Sequence, residues 1–157
     1  MTKTAIIYFS ASTNKVTKNI AQKLAQINND DIYEIKPVDE YTNADLNWND
    51  SNSRTTQEKE NNNIRPEIAS NIDITNYDNI ILGFPVWWYT APAIIKTFLE
   101  NNNFTNKTIK IFVTSGGTGI NEVETKITQE YPEINWKNGE RLTGREDIGK
   151  LKEFIEQ

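Results

Sequence analysis

The sequence predicts an α/β protein built on a doubly wound, five-stranded parallel sheet in the order 2-1-3-4-5, with helices on both faces. Three observations carry that prediction. Short, almost wholly apolar runs recur at residues 4–9, 79–84 and 108–114, as expected of strands buried on both sides. Segments with apolar residues at helical spacing separate them. Loops of unusual composition follow these runs at their carboxyl ends, where open parallel sheets bind ligands.

Taken in order, TAIIYF (4–9) reads as the first strand and SASTNKVT (10–17) as a polar turn. Ile20, Ala21, Leu24, Ala25 and Ile27 then fall on one helical face. Asn28-Asn29-Asp30-Asp31 stops that helix, and residues 32–35 alternate as a second strand, completing a βαβ unit. Residues 37–66 are polar, with an asparagine run at 61–63. A connection of this length is functional or disordered; an ordered cover with a mobile middle near 58–63 is expected, with Trp48 packed onto something. A short helix is expected over 67–74 and a third strand over 79–84. Residues 92–101 suit a helix with Pro92 in its first turn. TIKIFVT (108–114) is a fourth strand, followed by SGGTG (115–119) and a helix over 120–131. Residues 134–142 hold a fifth strand broken near Asn138-Gly139. A last amphipathic helix follows Gly144, with Ile148, Leu151, Phe154 and Ile155 on one face. Right-handed crossovers leave few orders for such a chain, and 2-1-3-4-5 is the common five-stranded one.

The 157 residues suit one domain, 1–157, with a full core. A formal charge of -5 and a pI near 4.9 argue against a nucleic-acid partner. No apolar run approaches the roughly 20 residues of a membrane span, and the amino terminus lacks a signal-peptide pattern. A cytoplasmic protein with no membrane partner is therefore expected. Cysteine and histidine are both absent, which removes disulfides, thiolate chemistry, structural zinc and histidine-based triads. No metal site and no catalytic side chain stands out. Any redox chemistry would have to be carried by a bound cofactor.

In the predicted sheet three loops converge on one edge. Ser10, Ser12, Thr13, Asn14 and Thr17 precede the first helix, whose amino end offers free N–H groups and partial positive charge to a phosphate. Helix capping is the plainer use of one such hydroxyl. Pro85, Val86, Trp87, Trp88 and Tyr89 follow the third strand. Aromatics there suit a flat apolar ligand, or else they pack under a neighbouring loop. Ser115, Gly116, Gly117 and Gly119 follow the fourth strand and give either close backbone approach or a tight turn. The glycines fit neither GxGxxG nor GxxxxGK[ST]. A phosphate at one end and an aromatic wall at the other describe a ligand such as flavin mononucleotide, FMN.

The segments YFSAS (8–12), DLNWNDSNSR (45–54), RPEIAS (65–70), GFPVWWYTAPAIIKTFLE (83–100), TSGGTGI (114–120) and LTGR (142–145) resemble the flavodoxin family. The nearer likeness is to its short bacterial members with a GFPxWW loop. The resemblance spans nearly the whole chain and implies a flavodoxin-like fold with non-covalent FMN. It implies that Ser10, Ser12, Asn14 and Thr17 hold the phosphate. Residues 85–89 would flank the isoalloxazine, and Ser115, Gly116, Gly117 and Gly119 would line its pyrimidine edge. One departure is clear. The family's phosphate loop usually reads T/S-x-T/S-G-N-T, whereas SASTNKVT has no glycine and, aligned on TKNIA, two extra residues.

Two functions are implied. The first is low-potential electron transfer, with an acidic surface steering the protein to basic patches on reductase and acceptor proteins. The second is an FMN-dependent NAD(P)H oxidoreductase acting on quinones or similar acceptors, for which the 37–66 connection would build or block access to the ring. The carrier is favoured, although residues 85–90 lack the glycine common beside flavin N5 in flavodoxins. A receiver-type signalling domain shares the sheet order but needs an acidic residue where Gly83-Phe84-Pro85 stands.

Overall fold

A computed structural model describes residues 3–11, 15–47, 49–61, 63–115 and 119–156. The elements run β1 (Thr4–Tyr8), α1 (Val16–Asn28), β2 (Asp31–Glu34), α2 (Arg54–Glu60), β3 (Asn79–Pro85), α3 (Ala93–Glu100) and β4 (Thr108–Thr114). They continue with α4 (Asn121–Glu130), β5 (Asn135–Trp136), β6 (Glu140–Arg141) and α5 (Ile148–Glu156). All strand pairs are parallel, in the order β2-β1-β3-β4-β5, with β6 also on β4.

The pleat of β1 explains the two layers, because alternate residues face opposite sides of the sheet. Ala5, Ile7 and Phe9 join a core with Ile94, Ile95 and Phe98 of α3 and Val123 and Ile127 of α4. Ile6 and Tyr8 join the other, with Ile20 and Leu24 of α1 and Leu151 and Phe154 of α5. The crossovers from β1 to β2 and from β2 to β3 run in opposite directions. Keeping both right-handed puts α1 on one face and the 38–78 connection on the other.

The fifth strand breaks where expected. Ile109 pairs with Trp136 and Phe112 with Glu140, so three steps along β4 (109 to 112) match four along its partner (136 to 140). That one extra residue is a β-bulge. Gly139 sits in it because a Cβ there would lie 2.6 Å from the Ile111 carbonyl oxygen.

The long connection departs from expectation twice. The helix expected over 67–74 is absent: Ile68 forms an antiparallel bridge with Pro37, Val38 N–H donates to the Glu67 carbonyl at 2.8 Å and Ala69 N–H to that of Lys36 at 2.7 Å. Beyond it Ile72 and Ile74 are buried while Asn71 and Asp73 are exposed, a two-residue period that belongs to extended chain. Instead, a helix forms at Arg54–Glu60, overlapping the stretch expected to be mobile. Ser53 caps it by accepting the Thr56 N–H at 3.4 Å. Arg54 and Glu58 pair across one turn at 3.2 Å.

Candidate functional site

Four backbone bonds splay the loops from one edge of the sheet. Phe9 N–H donates to the Gly83 carbonyl at 2.9 Å and Ile35 N–H to Tyr8 at 2.7 Å. Val86 N–H donates to Thr114 and Leu142 N–H to Val113, both at 2.9 Å. The strands thus stay paired to their carboxyl ends, and the loop leaving each strand must turn outward over the same edge.

In the first loop Ser12, Thr13 and Asn14 lie outside the described residues. Among the described residues Ser10 Oγ is buried without a hydrogen-bond partner, an uncommon state for a hydroxyl and one that calls for a missing partner. Helix α1 begins beside it with Lys15 as N-cap, in the left-handed region at φ 52°, and the Lys15 side chain makes no capping bond to its amino end. Ser10, Lys15, Lys18 and Lys36 border a cleft of about 310 Å³. The orphaned hydroxyl, the helix start and the three lysines, which outnumber Glu34 and Glu40 of the same lining, fit an anionic group such as a phosphate. Thr17 Oγ1 lies 2.8 Å from Thr114 Oγ1 in a buried bond that ties α1 to the end of β4.

In the aromatic loop Pro85 ends β3 opposite Thr114, and Trp87 and Thr90 exchange two backbone bonds of 3.0 Å. The enclosed residues Trp88 and Tyr89 have φ of 54° and 61°. Positive φ at both central positions is the type I′ turn, which ordinarily selects Asn-Gly. Two bulky aromatics are held there against a cost of about 1 kcal/mol or more each.

The three aromatics have separate fates. Trp87 meets Phe9 edge-on at 5.6 Å and Tyr41 at 5.2 Å, so it packs beneath the 37–66 connection. Trp88 lies at the turn, with Lys59 Nζ of α2 4.4 Å from its ring centroid. Tyr89 is 58% exposed, and its carbonyl accepts from Lys126 of α4 at 3.4 Å. Val86 is half-buried against the core.

Tyr41, Arg54 and Glu58 brace Trp87 from behind. The Arg54 guanidinium lies 3.7 Å from the Tyr41 ring centroid. The Tyr41 hydroxyl donates to Glu58 at 2.7 and 2.8 Å. Sequence reasoning missed Tyr41 and Glu58; the Ser53 cap and the Arg54–Glu58 spacing were the available signals. Burial raises the Glu58 carboxyl above its ordinary value, against the lowering by the Tyr41 and Arg54 hydrogen bonds. Folded protein therefore binds this proton more tightly than unfolded chain. The stabilisation is fully present below the unfolded value and is lost as pH rises through the folded one. We expect wild type to gain stability relative to Glu58→Gln as pH falls from 7 towards 4.5. Urea unfolding at both pH values checks this, and a pH-independent difference would contradict it.

After β4, Ser115 is half-buried while Gly116 and Gly117 lie outside the described residues, as does Trp48. Among the described residues a Cβ on Gly119 would meet nothing within 4 Å, so their packing does not demand glycine there. Arg141 of β6 reaches Ser115, its Nε donating to Oγ at 3.0 Å and a terminal nitrogen to the carbonyl at 3.1 Å. No feature of the sequence marked that pair.

An anion-suited cleft, an aromatic turn and a braced Ser115 on one edge define the site class of phosphate-bearing flat cofactors. The sequence pattern described as Flavodoxin matches residues 3–157, and the chain belongs to the flavodoxin family. A crystal structure of a candidate flavoprotein from Bacteroides eggerthii is 38% identical, with a TM-score of 0.94, over 99% of this chain and 97% of that one. One from Bacteroides uniformis is also 38% identical, with a TM-score of 0.92 over 99% of both chains. A Lactobacillus acidophilus flavoprotein, solved in complex with FMN, is 27% identical with a TM-score of 0.78 over 99% of both. No curated protein sequence matches the chain.

Proposed function

We propose that this chain binds FMN at the common edge and serves as a low-potential electron carrier between redox proteins. The observation that carries this is Ser10 Oγ, buried with no hydrogen-bond partner among the described residues, beside the amino end of α1 and across the edge from the strained aromatic turn. FMN, when bound, supplies the capacity to accept and release electrons singly or in pairs. Ser10, the α1 N–H groups and Lys15 hold the phosphate, and Ser12, Thr13 and Asn14 extend that loop. Trp88 and Tyr89 present the flat surface for the ring, with Trp87 and Pro85 setting the turn's position. Ser115 faces the ring's polar edge, the role that the family resemblance implies for Gly116, Gly117 and Gly119 as well. An acidic surface, with net charge -5, steers the protein to basic patches on a reductase and an acceptor. This reading places it in the cytoplasm.

A second reading, an FMN-dependent NAD(P)H oxidoreductase, is favoured by one feature. A groove of about 530 Å³ runs beside the aromatic turn, bordered by Lys59, Arg65, Trp88 and Lys126, a size that admits a second small molecule. Stepwise anaerobic reduction of the FMN-loaded protein, with NADPH tried separately, distinguishes the two. The carrier is expected to reduce in two separated one-electron stages and to leave NADPH unoxidised. Direct reduction by NADPH in a single two-electron stage would overturn it.

A further inference from the structure

We infer that Arg141 sets the electrostatics at the polar edge of the bound ring, acting through Ser115 to favour reduced over oxidised FMN. This rests on the proposed FMN site. Arginine carries donors and no acceptor. The two bonds from Arg141 therefore make Ser115 Oγ and the Ser115 carbonyl acceptors towards β6. The Ser115 hydroxyl proton therefore points away from the guanidinium. Its place is determined from both directions: Ser115 directly follows β4, and Arg141 is locked in β6 opposite Val113. The Leu142 N–H bond to the Val113 carbonyl, 2.9 Å, continues that pairing. A one-residue shift in the bulge before β6 would turn the guanidinium to the other face of the strand.

The charge itself is unspent. Among the described residues no carboxylate forms an ion pair with Arg141. Its neighbour Glu140 pairs with Lys150 instead, at 2.9 Å. Addition of two electrons and one proton leaves one extra negative charge on a bound flavin ring. A half-buried guanidinium one hydrogen bond behind Ser115 favours that charge more strongly than it would in water. A local cation thus opposes the lowering of potential that an acidic protein otherwise imposes. Arg141 is a positioning residue by this argument, since it acts through Ser115.

The test compares Arg141→Gln, which keeps donors and removes charge, with Arg141→Lys, which keeps charge and loses the fork. Dithionite, itself oxidised to sulfite, supplies the electrons. FMN dissociation constants in the oxidised state and midpoint potentials together give the affinity ratio for reduced over oxidised FMN. Arg141→Gln is expected to lower that ratio about tenfold, equivalent to about 30 mV for a two-electron couple, while Arg141→Lys holds it within about twofold. Ser115→Ala, with Arg141 intact, is expected to lower it about threefold and serves if Arg141→Gln does not fold. An unchanged ratio in Arg141→Gln or Ser115→Ala, or an equal fall in the Gln and Lys variants, overturns the inference. Failure of wild type to bind FMN overturns the electron-carrier reading before this one is reached.

Discussion

Gly83→Ala is expected to destabilise the protein by about 3 kcal/mol or more, at or beyond the upper end of overpacking costs. The added Cβ would lie 2.0 Å from Phe112 Cζ and 2.3 Å from its Cε1, deep inside carbon contact distance. Neither side has room to give. Gly83 is paired with Tyr8 on one flank and Phe112 on the other, in the middle of the sheet. The Phe112 ring is fully buried and meets Phe154 edge-on at 6.4 Å. The ring therefore lies across the glycine, filling the space that a side chain would have taken. Urea unfolding of Gly83→Ala, Phe112→Leu and the double variant checks the collision directly. If it is real, Phe112→Leu costs about 1 to 2 kcal/mol in wild type but restores part of the stability in Gly83→Ala. Additive losses would show that the two groups do not compete for space. Because Phe84 and Pro85 lead from this residue into the aromatic turn, a shift here is also expected to weaken FMN binding.

The parts of this fold that were legible are those whose burial is apolar. Residues 4–9, 79–84 and 108–114 bury both faces, so unbroken hydrophobic runs reported them faithfully. The bulge was legible too, since Asn138-Gly139 interrupts a strand pattern in the only way such residues can. Helix α2 was hidden because the side it buries is polar: Thr55, Thr56 and Glu58 face inward, and hydrophobic periodicity cannot register a hydroxyl or a carboxylate. The opposite error arose at 67–74. Ile68 and Ile72 stand at helical spacing in the sequence, yet Ile72 and Ile74 are the pair buried side by side along an extended chain. The site showed the same division. Its location followed from composition, whereas the turn's backbone did not, because Trp88-Tyr89 carries none of the residues that normally announce a type I′ turn. Arg141 gave no signal because its partner is distant in sequence and adjacent only through the β4–β6 pairing.

That unannounced turn makes the last prediction. Non-glycine residues at positive φ persist where surrounding structure holds them and where function gains from the conformation. Tyr89 is exposed, and its backbone carbonyl accepts from Lys126, so Tyr89→Gly removes little packing while relieving the left-handed strain. The apo protein is expected to gain about 1 kcal/mol, a rise in Tm of roughly 2 to 4 °C for a chain of this size. The same variant loses one aromatic face of the proposed ring site, and FMN affinity is expected to fall about tenfold. Trp88→Ala separates the two effects, since it retains positive φ at a residue with a Cβ: affinity should fall at least as far with no gain in apo stability. Trp87→Ala behaves differently from both. Its ring packs on Phe9 and Tyr41, so its loss is expected to cost about 3 kcal/mol of stability along with affinity. Thermal unfolding without FMN and flavin fluorescence titration read the two quantities independently. A Tyr89→Gly variant that is more stable and binds FMN as tightly as wild type would mean that the strain serves something other than the cofactor. One that is less stable would mean that the turn is held in place by its side chains rather than against them.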